Sequence, residues 1–139
     1  MYVIMYVEQV VDNMWTPYNP NPHGKLVGDC TVRAISKLVN KNWYETYLDL
    51  CLLGMLMGDM PSSNAVTTAY LKSNGFRRRT IPDNCPYCYT IADFCKDHPK
   101  GVYTIGTGSH LTTVVDGCLW DSWDSSNECP VYYFEKMED

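Results

Sequence analysis

Gly28-Asp29-Cys30-Thr31-Val32-Arg33-Ala34-Ile35 is the stretch on which the reading of this chain turns. Asp29 is a good helix N-cap residue, and the apolar positions Val32, Ile35, Leu38 and Val39 recur at helical spacing behind it. The pattern predicts a helix over 29–39 with Cys30 in its first turn and Arg33 and Lys37 as an exposed i, i+4 face. A thiol in that position lies beside the partial positive charge of the unpaired helix amides, which lowers its pKa and favours the thiolate. Cys30 is therefore a candidate nucleophile, if a base and an orienting acceptor reach it from elsewhere in the chain.

Both are found far downstream. Asp116-Gly117 is a strong two-residue hairpin turn between strands predicted at 109–115 and 118–123. That turn pairs Val115 with Cys118, Val114 with Leu119, Thr113 with Trp120 and Thr112 with Asp121. Because side chains alternate along a strand, His110, Thr112 and Asp121 share one face. His110 then lies on the diagonal from Asp121, roughly 7 Å or less between β-carbons, a gap that an imidazole and a carboxylate can close. Asp124 competes for the orienting role but points to the opposite face of an unbroken strand. Trp120 and Trp123 read as core and rim packing.

The rest of the chain supplies a scaffold. A strand is expected at 2–11, followed by a loop over 12–25 punctuated by Pro17, Pro20, Pro22 and Gly24. Asn42 and Glu45 form a capping box that opens a largely buried helix over 43–57, and Ser63 or Asn64 starts another that ends at Gly75. A strand at 76–81, a short helix at 90–97 and strands at 102–107 and 131–134 complete the pattern. Helices first and antiparallel strands after define an α+β domain, and 139 residues with no internal repeat or linker fit one domain over 1–139.

Charge and composition narrow the function classes. The net charge of −5 and the scattered basic residues argue against a nucleic-acid partner, and the basic triplet Arg77-Arg78-Arg79 reads as a solvated edge strand. The apolar start, Met1 to Val7, is too short to span a bilayer and has no basic leader, so no membrane association is expected and the protein should stay in the cytoplasm. Seven cysteines cannot all pair within one chain, and in a reducing compartment most are free thiols. Cys85, Cys88, Cys95 and His98 follow a Cys-x2-Cys-x6-Cys-x2-His spacing. That set could hold zinc, and a small zinc-binding protein is one alternative reading; a redox pair or ordinary buried thiols are the others.

The motifs resemble those of a known superfamily. Gly28-Asp29-Cys30-Thr31-Val32-Arg33-Ala34 resembles the nucleophile motif of ovarian-tumour-type deubiquitinases, Asp-Gly-Asn/Asp-Cys-Leu-Phe-Arg-Ala, and more broadly the cysteine helix of papain-like peptidases. Gly108-Ser109-His110-Leu111-Thr112-Thr113-Val114-Val115 and Leu119-Trp120-Asp121-Ser122-Trp123-Asp124 resemble the His and acidic strands of bacteriocin-processing and other bacterial papain-like peptidases. The whole chain also resembles small phage and prophage proteins. The resemblance implies a papain-like fold, helices packed on a C-terminal antiparallel sheet, and a cofactor-free cysteine hydrolase (peptidase, isopeptidase or amidase) acting on a peptide or protein through Cys30, His110 and Asp121. If phage-encoded, it would work in the cytoplasm of a bacterial host. The alternative is an inactive papain-like protein that binds a host or virion protein. Two positions depart from the family patterns: the Asp that opens the deubiquitinase motif is Val27, and the Gln that papain places six residues before its cysteine is Gly24. The oxyanion donors would then be the Cys30 amide together with Asn19, Asn21, His23 or Lys25.

Overall fold

Asp116 and Gly117 both take positive φ, 48° and 76°, as the tightest hairpin turn demands, in a computed structural model that describes residues 14–82 and 86–138. They join β4 (Leu111–Val115) to β5 (Cys118–Asp121) with the pairs Thr113–Trp120, Val114–Leu119 and Val115–Cys118 that the turn predicts. The Asp116 carboxylate also accepts from the Gly101 amide at 2.9 Å, which ties the turn to the start of β3 (Val102–Gly106). β3 pairs antiparallel with β4 and with β6 (Tyr132–Lys136), and β2 (Phe76–Thr80) closes the far edge against β6.

The expected sheet of antiparallel strands is corrected at the other edge. Trp15–Pro17, inside the stretch read as loop, forms β1 and pairs parallel with β5, so the sheet is mixed with strand order β1-β5-β4-β3-β6-β2. Three residues with a proline have little strand propensity, and what holds them is tertiary. The Leu119 amide donates to the Met14 carbonyl at 2.6 Å, and the Tyr18 amide and the Trp15 indole both donate to the Asp121 carbonyl, at 2.8 and 3.1 Å. The strand expected at 2–11 lies outside the described residues.

Two helices pack on one face of this sheet with a third stacked on them, and a fourth covers the other face. On the first face, α1 (Cys30–Val39) lies over β3, β4 and β5, and the Thr113 hydroxyl donates to the Ala34 carbonyl at 2.6 Å. α2 (Trp43–Met57) begins with the predicted Asn42–Glu45 capping box, and α3 (Asn64–Ser73) begins with Ser63 capping Val66. Ile35, Leu38, Leu50, Val66, Leu71, Phe76 and Phe134 form the core between these helices and the sheet. On the second face, α4 (Ile91–Asp97) packs Ile91, Phe94 and Cys95 on Ile105, Val114 and Leu119.

α2 is not the largely buried helix its composition suggested. It packs on α1 and α3 rather than on the sheet, so only Thr46, Leu50 and Gly54 are buried while Leu48, Leu52 and Leu56 are exposed. β2 is the edge strand expected for the arginine triplet: Arg77 and Arg79 both donate to Glu135, at 2.8 and 2.7 Å, and Arg78 lies over the Tyr132 ring. No helix among the described residues is long and apolar enough to cross a membrane.

Candidate active site

Cys30 is the first residue of α1, partly buried, with Asp29 in the N-cap position. The Asp29 side chain does not cap, contrary to the sequence reading. Its carboxylate instead accepts from Arg33 Nη1 at 2.6 Å and from the Trp43 indole at 2.9 Å. The predicted exposed face is corrected with it: Arg33 is only 5% exposed, and its second guanidinium nitrogen reaches Asp121 Oδ1 at 3.2 Å. A buried cation one turn behind Cys30 thus bridges an acid on the cysteine helix to an acid at the end of β5. The planar fork of arginine suits a site where two carboxylates must be met at once.

His110 stands just before β4 rather than within it. Its amide donates to the Thr107 hydroxyl at 3.0 Å and its carbonyl accepts from the Thr107 amide at 2.9 Å, which closes the 107–110 loop on itself. The hairpin register brings the imidazole to the carboxylate as expected, with His110 Nε2 2.6 Å from Asp121 Oδ2. Asp121 is 1% exposed and fully engaged: Ser125 donates to Oδ2 at 2.7 Å, and the Ser122 amide donates to Oδ1 at 2.8 Å. Asp124, the competing acid, is exposed and accepts from the Ser126 amide. The Trp123 ring lies 5.1 Å from the imidazole, where it covers one side of the pair.

The electrostatics follow from these contacts. Hydrogen bonding to His110 draws the Cys30 thiol below its ordinary pKa against the opposing effect of burial, helped by the Leu111 backbone and the charges of His110 and Arg33. Burial alone would pull the imidazole down, but its hydrogen bonds to Asp121 and Cys30, and their charges, prevail and set it at about 9. Burial also opposes ionisation of Asp121, and the hydrogen bonds from His110 and Ser125 overcome it, leaving the carboxyl below its usual range. Both directions stabilise the thiolate–imidazolium form of the pair relative to the two groups apart.

Cys30 and His110 together line a cleft of about 270 Å³ that Ser62, Asn64 and Tyr132 also line. None of Asn19, Asn21, His23 or Lys25 lines it. The two asparagines brace their own arm, Asn19 by donating to the Lys25 carbonyl at 3.3 Å and Asn21 by accepting from the His23 amide at 2.9 Å. Asn21, His23 and Lys25 line an adjoining cavity instead. Arg33, Ser125 and Asn64 were missed as site residues. The Asp29–Arg33 spacing of four was a signal for the first of them, whereas Asn64 could be placed in the Cys30 cleft only by the packing of α3.

The alternative cluster divides. Cys95 is buried in the second core, where loss of solvent pushes its thiol up to about 12. The His98 ring stacks on Phe94 with centroids 3.8 Å apart, and its Nδ1 is 2.9 Å from the Phe94 carbonyl. Cys88 is exposed, and Cys85 lies outside the described residues. Among the described residues no three His, Cys, Asp or Glu side chains converge as a metal site.

No protein-family model, curated protein or solved structure matches the chain.

Proposed function

We propose that the protein is a papain-like cysteine hydrolase that cleaves an amide or isopeptide bond in a peptide or protein. The observation that carries this reading is that Cys30 and His110 line one cleft with His110 Nε2 2.6 Å from a buried Asp121, and that thiol and imidazole shift each other, the thiol downward and the imidazole upward. A purely structural histidine has no need of a thiol on one nitrogen and a fully engaged buried carboxylate on the other.

In this mechanism the Cys30 thiolate attacks the substrate carbonyl carbon, and the C=O electrons move to oxygen. The Cys30 amide, free of an intrahelical acceptor in the first turn, donates to that oxyanion, with Asn64, which lines the same cleft, as the second donor. Collapse of the tetrahedral species breaks the C–N bond as imidazolium gives its proton to the leaving amine. A thioester remains. Water, deprotonated by the now neutral imidazole, attacks it, and release of the acid restores thiolate and imidazolium. Asp121 holds Nε2–H throughout, which leaves Nδ1 toward the sulfur.

Iodoacetamide offers the direct test. Cys30 should be carboxamidomethylated first among the seven cysteines, and Cys30→Ala should abolish turnover of any peptide substrate found. Uniform labelling of the folded protein, or labelling that spares Cys30, contradicts the proposal.

A further inference from the structure

Among the described residues nothing covers the outer face of α2. Thr46, Leu50 and Gly54 form its buried stripe. The side chains that point the other way are Tyr44, Tyr47, Leu48, Leu52, Met55 and Leu56, each between 46% and 80% exposed, with the half-buried Cys51 among them. They make two adjacent rows at i, i+4 spacing, 44-48-52-56 and 47-51-55. A fully exposed large apolar side chain presents about 200 Å², so these six offer about 700 Å². A monomer ordinarily leaves smaller apolar patches than that in water. The acids around the face are satisfied inside the chain: Glu45 accepts from the Asn42 amide at 3.3 Å, Asp49 from Lys41 and Tyr70 at 2.8 and 2.7 Å, and Asp59 from the Met60 amide at 2.7 Å. No lysine or arginine occurs from 42 to 71. What the face offers is therefore apolar shape, with no charge left to select a ligand.

We propose that this face is the interface of a homodimer, in which α2 packs antiparallel on α2 of a second copy. The proposal stands apart from the hydrolase reading, since no residue of α2 lines the Cys30 cleft. The area and the pattern of the face together fix the occupant. Each partner of a standard interface buries about 800 Å², and the apolar face alone supplies most of it. A two-fold interface must also be complementary to itself, so that residues equidistant from its centre suit each other. With the axis at Leu52, Leu48 meets the partner's Leu56, Leu56 meets the partner's Leu48, and Leu52 meets its own copy. The two rows are i±4 ridges, whose interdigitation gives the commonest helix crossing, at about −50°. The same register brings Glu45 toward the partner's Asp59, a like-charge pair at each end of the interface. Salt screens that repulsion, so the dimer should hold or tighten as salt rises, whereas a partner held by charge would be released.

Sedimentation velocity on the full chain tests this. Between about 1 and about 100 μM the protein should pass by mass action to a species of twice 15.9 kDa. Leu52→Asp and Leu56→Asp, both at exposed positions, should stay monomeric throughout, with unchanged far-ultraviolet dichroism and an unchanged rate of Cys30 alkylation by iodoacetamide. Salt at about 0.5 M should leave the wild-type dimer intact or strengthen it. In Leu52→Cys, a short bismaleimide should join position 52 of one copy to position 52 of the other, read by mass spectrometry of the linked peptide. A wild-type chain that stays monomeric at about 100 μM overturns the proposal and leaves the face to a different protein. A dimer that persists in both aspartate variants, or that links elsewhere and not at 52, puts the interface on another surface and overturns it too. So does a dimer that salt dissociates, because charge then holds it.

Discussion

At the scale of single residues, Arg33 is the least expendable side chain near the site that is not itself a candidate reacting group. It lies between two buried carboxylates, Asp29 and Asp121, at 2.6 and 3.2 Å. Arg33→Met removes the cation bonded to both and leaves two desolvated acids without it, so a loss of about 3–5 kcal/mol in urea unfolding is expected. Arg33→Lys keeps the charge without the fork and should lose less. His110 and Cys30 set the pH profile. Below the lowered thiol pKa the nucleophile is protonated, and above about 9 the imidazole has lost the proton that the leaving amine needs. Turnover should therefore be bell-shaped, with its alkaline limb near pH 9. In His110→Ala, the inflection of Cys30 alkylation should move up to that of an ordinary thiol.

Elements were legible where their signals are local. Asp116-Gly117 fixed the hairpin and hence the His110–Asp121 meeting, because turn chemistry determines register without help from the rest of the chain. The same is true of the Asn42 cap, whose side-chain Oδ1 accepts from the Glu45 amide at 2.8 Å. Asn42→Ala should cost about 1 kcal/mol, read as a shift in the denaturant midpoint. Elements that depend on distant partners were not legible. β1 has no propensity of its own and exists because Asp121 and Leu119 bond it. Arg33 has the spacing of a solvated helix residue, and only the arrival of β5 buries it. α2 reads as apolar all round, yet a helix stacked on other helices at the outside of a layered fold needs only one buried stripe.

The whole molecule is a sheet with a core on each face, and the two cores draw on the same strands. β3 gives Ile105 and β6 gives Tyr133 to the α4 side, while the same strands give Val102 and Phe134 to the side of α1, α2 and α3. Damage on one face should therefore weaken both. Leu50→Ala, at a fully buried position, should destabilise by about 2–5 kcal/mol. Tryptophan fluorescence and far-ultraviolet dichroism should still report one coincident transition. Separate transitions would show that the faces melt independently.

The linkage of Arg33 to Asp121 spans 88 positions in the chain, and that of Thr113 to Ala34 spans 79. Closing loops of that length is slow, because the entropy of bringing the ends together is lost before any contact rewards it. On the ribosome, Cys30 is synthesised well before the segment that carries its base and its orienting acid. Until the β4–β5 hairpin docks on α1, the thiol lacks the His110 and Leu111 contacts that lower its pKa. If the proposed mechanism holds, topology alone withholds reactivity during synthesis: Cys30 meets its base only when the sheet has closed, and a chain stalled partway lacks that contact.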